Sequence, residues 1–217
     1  RMWVSIQLAL PIFILQIIAS VSFALLLVMF RHTALDLVGV VFCVVMLSIS
    51  ALFYIIVGQF LFSRVLRLVP INGYAPGLDA VKFLILPVLL SLLARLGSEA
   101  RLYRAMFLEE IGKDYVRTAR AKGLAETAVL FRHVLRNAMI PIITSAGGYL
   151  PYVFMGSLVF ESFFGIPGLG AYVIEAIGKQ DFAVVRTMVF VGSLLYIASY
   201  ILIDIAYTWV DPRVRLA

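Results

Sequence analysis

The charges of this sequence divide it into runs that are too long and too apolar for water. Between Arg1 and Arg31 lie 29 residues without a charge (Met2–Phe30). Between Asp36 and Arg64 lie 27 (Leu37–Ser63), and between Arg136 and Glu161 lie 24 (Asn137–Phe160). A helix of about 20 apolar residues crosses the hydrocarbon core of a bilayer, so each run can span with some tilt. Two more runs are shorter. Phe83–Ala94 holds 12 residues between Lys82 and Arg95. Both flanking side chains can snorkel, which extends the span to about 79–97. Thr187–Ile203 holds 17 residues between Arg186 and Asp204 and continues apolar to Val210. Pro11, Pro87, Pro141 and Pro151 sit in or at the ends of these runs, where neighbouring membrane helices can re-satisfy the freed carbonyls.

The expectation is an all-α, polytopic membrane protein with five transmembrane helices, at about 2–30, 37–63, 79–97, 137–160 and 187–210. Residues 1–217 form a single transmembrane domain, with one polar loop at 98–136. Composition agrees: 63% of residues are hydrophobic and 14% charged, against about 45–50% and about 25% in a soluble domain. Disorder requires the opposite balance. The single cysteine, Cys43, permits no internal disulfide. A net charge of +6 could suggest nucleic acid, but in a membrane chain basic residues mark cytoplasmic loops.

Ser98–Asn137 carries eight of the 18 basic residues: Arg101, Arg104, Lys113, Arg117, Arg120, Lys122, Arg132 and Arg136. Placing it in the cytoplasm also places Arg31, Arg213 and Arg215 there. The segment holds five acids as well (Glu99, Glu109, Glu110, Asp114, Glu126) and no proline, so it reads as folded helix rather than linker. Glu109 and Lys113 have the favourable i,i+4 order. Asp114 is expected to cap a short helix, Tyr115–Lys122, that Gly123 ends. A second helix should run from Ala125 into the next span, with Leu124, Ala128, Phe131, Leu135 and Ala138 on one face. A capped helix with mixed charges suits protein docking; the alternative is a polybasic patch for anionic lipid.

Catalytic patterns are absent from the sequence. None of the four lysines is followed by Ser or Thr, so no phosphate loop of the GxxxxGK[ST] type exists. Gly165–Gly170 (GIPGLG) is glycine-rich but lacks that lysine and reads as a turn at the membrane edge. His32 and His133 have no ligand spacing around them, and no metal is expected. Nothing resembles a Ser/His/Asp triad or a carboxylate pair. Arg186, Glu161 and Asp204 read as anchors at span ends. Gln16, Ser20, Ser22, Ser48, Ser50, Gln59, Thr144 and Ser145 either line a path or hydrogen-bond between helices, and Gly147, Gly148 and Gly156 permit close packing.

Asp114–Gly123 reads DYVRTARAKG and is followed by LAETAVLFRHVLRNAMIPIIT. This resembles the cytoplasmic coupling loop of permease subunits of binding-protein-dependent ABC importers, in their peptide/nickel branch. FESFFGIPGLG at Phe160–Gly170, KQDFAV at Lys179–Val184, and Asp204 with DPRVRL at Asp211–Leu216 add to the likeness. The general Glu-Ala-Ala signature of such loops is altered: Arg117 and Thr118 stand at its first two positions, while Ala119 and Gly123 match. Its downstream proline position is Arg136.

The resemblance implies a non-catalytic subunit of a prokaryotic inner membrane, with a sixth, N-terminal span outside this sequence. It would form half of a translocation path with a second, identical or homologous permease. An external binding protein would deliver peptides or related solutes. Two cytoplasmic ATPases would hold ATP and Mg, with no cofactor on this chain. Coupling would fall to Asp114, Tyr115, Arg117, Thr118, Ala119, Arg120, Ala121, Lys122 and Gly123. Glu161, Gly165, Pro167, Gly168 and Gly170 would lie in an external loop near the gate. The rival classes are an ion-coupled secondary transporter or channel, which would show repeats and mid-membrane charges, and a lipid-binding membrane protein.

Overall fold

Lipid offers the backbone no hydrogen bonds, and the chain responds by being helical nearly throughout. The computed structural model describes residues 1–210. The motif at Asp211–Leu216, with Arg213 and Arg215, lies outside the described residues. Among the described residues eleven α-helices follow in order: α1 (Met2–Met29), α2 (Ala34–Ser48), α3 (Ala51–Gly58), α4 (Ala80–Ile111), α5 (Asp114–Ala121), α6 (Glu126–Val129), α7 (Leu135–Gly147), α8 (Leu150–Met155), α9 (Leu158–Phe164), α10 (Leu169–Gly178) and α11 (Phe182–Val210). Among the described residues, four helices or near-continuous helical runs are long and apolar enough to cross a membrane: Met2–Met29, Ala80–Ile111, Glu126–Met155 and Phe182–Ala206. Two pairs of shorter helical runs, α2 with Ala51–Val65 (α3 and the π-helical turns that follow it) and α9 with α10, meet that test only when each pair is taken together, which raises the number to as many as six.

Several boundaries differ from the charge-bounded reading. The expected span 37–63 is broken after Ser48, whose hydroxyl donates back to the Val44 carbonyl at 2.8 Å, and Ser50 is extended at φ −65°, ψ 145°. Such local side-chain bonds compete with the helical ladder. The span expected at 79–97 does not stop at Gly97 but continues to Ile111, because charges beyond it find partners, Glu99 with Arg95 along the helix and Arg104 with Asp36 of α2. The run expected at 137–160 begins at Glu126 and ends at Met155, and α9 starts afresh after Gly156. Arg186 lies inside α11, which begins at Phe182.

The chain divides into two compact units. One comprises residues 1–15, 49–94 and 148–201. Its core holds Leu8 and Ile12 of α1, Ile55 of α3, Leu84 and Leu90 of α4, and Phe160 and Phe164 of α9. The two phenylalanine rings stack with centroids 6.4 Å apart. The irregular stretch before α4 is held by protein partners: the Gln59 amide donates to the Ile71 and Phe163 carbonyls at 3.2 and 3.0 Å, the Gly73 amide donates to the Phe164 carbonyl at 2.8 Å, and the Tyr74 hydroxyl donates to Gln7 at 2.6 Å.

The other unit comprises residues 16–48, 95–147 and the chain from Leu202. Tyr103 and Phe107 of α4 are buried at its centre among Ala24, Leu25 and Val28 of α1 and Val129, Leu130, Val134, Ala138 and Ile142 of the α6–α7 run. Arg104 of α4 makes a bidentate pair with Asp36 of α2, at 3.0 and 2.7 Å. Gly97 lets α4 approach α2: a Cβ there would press on the Cys43 carbonyl, the Met46 Cβ at 3.0 Å and the Leu47 nitrogen at 3.2 Å. Small residues allow this approach in membrane helices. Gly97→Val is therefore expected to destabilise the unit by about 1–3 kcal/mol through overpacking. Cys43 is buried and is the sole cysteine, so its thermal unmasking to a thiol-reactive fluorophore in detergent reads the effect. An unchanged unmasking temperature would show that the helices are not packed at this point.

Candidate functional site

The short helix α5 alternates apolar and polar residues at helical spacing, and this decides its two faces. Val116 and Ala119, three residues apart, are 0% and 5% exposed and join the core of Tyr103, Phe107 and Val129. Asp114, Arg117, Thr118, Ala121 and Lys122 remain exposed. Arg117 pairs with Asp114 at 3.5 Å, both side chains well in solvent. Such a pair contributes little stability, so the outer face is free to exchange partners.

Ion pairs fix both ends of α5. At the start, Glu110 is buried, accepts the Tyr115 hydroxyl at 2.6 Å and pairs with Lys113. The sequence had suggested Glu109 for Lys113, but Glu109 is a near-neighbour on a helix that ends at Ile111, and the turn brings Glu110 to the lysine instead. Burial, and then the hydrogen bond to Glu110, push the Tyr115 phenol up to about 12. The neutral phenol is thus the folded form, and its contribution is complete below the ordinary tyrosine range and lost as pH rises through the folded value. At the other end, Arg120 makes a fork to Glu126, at 3.0 and 2.8 Å. Arg120, with 33% of its side chain exposed, is thus more enclosed than Arg117 at 75%.

Asp114 does not cap α5. Lys113 holds the extended N-cap position (φ −76°, ψ 152°) and Asp114 is the first helical residue, where its charge still favours the helix N-terminus. Gly123 ends the helix at φ +78°, and no heavy atom lies within 4 Å of where its Cβ would be. Its requirement is conformational: the left-handed region is open to glycine without penalty. The face expected after it is displaced. Leu124 and Phe131 are exposed, and Leu130, Val134, Ala138, Ile142 and Ala146 are buried in steps of four. A π-helical turn at Leu130–Val134 widens the helix and shifts the register that α-helical spacing would give.

The second group of candidates meets at one corner. Helices α9 and α10 are bent by 85°, and Gly165, left-handed at φ +62°, ends α9. Glu161 is not an exposed boundary marker. It is 0% exposed, and its Oε2 accepts the Ala171 amide at 3.1 Å in the first turn of α10. Ser5 of α1, also fully buried, accepts the Leu169 amide at 2.7 Å. Together they cap α10, and an anion is favoured at that end. The glycines make room: a Cβ on Gly168 or Gly156 would collide with the Glu161 carboxylate and Ser5. A Cβ on Gly170 would sit 2.7 and 2.8 Å from the Ser157–Leu158 backbone. Pro167 is exposed in the connection. This capping role was not visible in the sequence, because Ser5 and Leu169 are 164 residues apart.

A buried polar cluster was also not assembled by sequence. The Gln16 amide donates to Ser20 at 3.0 Å, Ser20 donates to Glu99 at 3.3 Å, and Glu99 pairs with Arg95 at 3.2 Å. Among the described residues no group of three or more His, Cys, Asp and Glu side chains is placed to hold a metal ion.

The model of the family described as "Binding-protein-dependent transport system inner membrane component" matches residues 1–216. The chain is 36% identical, over 99% of its length and 70% of the relative's, to a Brucella abortus protein that carries the name of a peptide transport system permease. It is 31% identical, over 98% of its length and 68% of the relative's, to the dipeptide transport system permease protein of Bacillus subtilis. It is 38% identical to the oligopeptide transport system permease protein of the same organism, over 63% of its length and 43% of the relative's.

The corner yields a direct expectation. Glu161→Ala leaves the Ala171 amide unpaired in a buried place, at a cost of about 1–3 kcal/mol. Gly168→Val should cost at least as much, since it displaces the carboxylate. The purified chain in detergent should lose helix, by circular dichroism, at a lower temperature in both variants. Unchanged melting would remove the capping role.

Proposed function

This chain belongs to the binding-protein-dependent transport system inner membrane component family, and from that premise we propose that it is the permease subunit of a peptide importer, driven by ATPase subunits that dock on α5. As a member of that family it is a multi-pass, non-catalytic component of the inner membrane and works with other components of its transport system. The peptide cargo follows the names of its relatives. A secondary transporter or channel is not favoured.

In this reading the chain supplies half of the translocation path, and a second permease supplies the rest. An external binding protein delivers the solute, and two ATPases hold ATP and Mg in the cytoplasm. The observation that supports coupling at α5 is its seating. Val116 and Ala119 are sunk in the core, both ends are clamped by Glu110 and Glu126, and the polar face with Arg117, Thr118 and Lys122 is left outward. A helix of this kind transmits displacement instead of absorbing it. Asp114, Tyr115, Ala119, Arg120, Ala121 and Gly123 serve by shaping and holding that lever. On the external side, by the topology the charges suggest, the corner at Glu161, Gly165, Pro167, Gly168 and Gly170 forms a stiff element beside the gate.

The test is co-purification and uptake. The native chain, co-expressed with its transport partners, should carry a Walker-motif ATPase through purification and take up a labelled mixture of di- to pentapeptides in proteoliposomes. Reversing the outer charges, Arg117→Glu with Lys122→Glu, should release the ATPase and abolish uptake while membrane insertion persists. Gly123→Val adds about 1–2 kcal/mol of backbone strain and should lower uptake per ATP hydrolysed. Coupled uptake that survives the double reversal would sink docking at α5. Uptake of no peptide, with a stable ATPase complex, would sink the cargo assignment alone.

A further inference from the structure

One polar side chain outside α5 is engaged with the coupling helix in a way the docking role does not explain. Arg31 lies in the turn between α1 and α2. Its Nη2 donates to Glu126 Oε1 at 3.1 Å, the same carboxylate that Arg120 of α5 grips with two bonds. The Arg31 side chain is 23% exposed, and its Nη1 is buried with no hydrogen-bond partner.

The turn that carries Arg31 is short and internally bonded. The Arg31 amide donates to the Val28 carbonyl at 3.3 Å, and the Thr33 amide to the Phe30 carbonyl at 3.2 Å. The Thr33 hydroxyl donates to the same Phe30 oxygen at 2.5 Å. A pull on Arg31 therefore passes to the end of α1 and to the start of α2. On α2, one turn further, Asp36 holds Arg104 of α4 by two bonds. Alternating charges thus run from Arg120 to Glu126 to Arg31, and after the turn from Asp36 to Arg104.

We propose that Arg31 is a positioning residue of the coupling apparatus: through Glu126 it ties α5 to the α1–α2 turn, so that displacement of α5 drives α1 and α2 together with the α6–α7 run. This rests on α5 being the ATPase-docking helix. The apolar core beneath α5 also touches α1, through Ala24, Leu25 and Val28, but apolar contact is non-directional and permits sliding. The Arg120–Glu126 fork is directional and fixes orientation as well as distance. The unpartnered Nη1 of Arg31 gives the joint a second position, since a small shift of the Glu126 carboxylate can supply the missing acceptor. A discrete alternative of this kind is what carries coupling between sites.

The experiment uses the whole importer complex, with its ATPase subunits, in lipid nanodiscs. A spin label is placed on α1 at Ser22→Cys, which is exposed, while the native Cys43 is buried. The label's mobility is compared without nucleotide and after trapping with ADP and vanadate. With Arg31 present the spectrum is expected to change on trapping. Arg31→Gln should lose that change while the ATPase still co-purifies, Glu126→Gln should lose it as well, and Arg31→Lys should keep it. The double variant should be no worse than either single one, as for residues acting through one contact. A full spectral change in Arg31→Gln, or none with the native residues, overturns the proposal. Loss of ATPase assembly in Arg31→Gln also overturns it, since Arg31 would then serve assembly alone. If the native chain itself retains no ATPase, it is the docking role of α5 that has failed.

Discussion

A peptide group in hydrocarbon must find its hydrogen-bond partner within the protein, and this constraint shapes every element of the chain. It makes the long runs helical, and it decides where the helices can stop. Several interruptions within the apolar stretches are covered by specific polar groups. Gln59 serves the carbonyls of Ile71 and Phe163, the Ser63 hydroxyl donates to the Pro70 carbonyl at 3.3 Å, and Ser5 and Glu161 serve the amides that open α10. The polar residues of this chain are few, and most that are buried are engaged with backbone ends or with one another.

The same economy explains how a helix of eight residues, α5, is held in a fixed orientation. Isolated helices of that length are unstable in water. Here two buried apolar residues supply the packing, and charged groups at both ends supply the orientation. No single exposed ion pair would suffice, but Glu126 is shared by two arginines and Glu110 by a lysine and a tyrosine. The outward face is then left without structural duty and is available to a partner.

Long uncharged runs were sufficient to identify the helices and the membrane setting, because charge and apolarity are read directly from residue type. The short helix α5 was legible for the same reason: mixed charges without a proline marked the segment as helical, and Gly123 is a local stop signal. What the sequence concealed was non-local. The charges after Gly97 resembled a loop because Asp36, the partner of Arg104, is 68 residues away. The buried stripe of the α6–α7 run was misplaced because a π turn at Leu130–Val134 changes the period without a proline or glycine to announce it. Glu161 looked like a boundary because a lone acid after an apolar run is usually solvated; the cradle that buries it is made by glycines on both sides and by a serine near the other end of the sequence.

That cradle has a consequence for how the chain is made. Ser5 is synthesised 164 residues before Leu169, yet α10 is not fully capped until the two meet. The unit they share is assembled from three separated stretches, 1–15, 49–94 and 148–201. Synthesis therefore cannot finish this unit piece by piece. The stretch of α1 that carries Ser5 must wait in the membrane until α10 has been inserted, and only then does the corner lock. Locking of the corner therefore follows insertion of α10, and a chain truncated before α10 leaves Ser5 of α1 without the partner it holds in the finished fold.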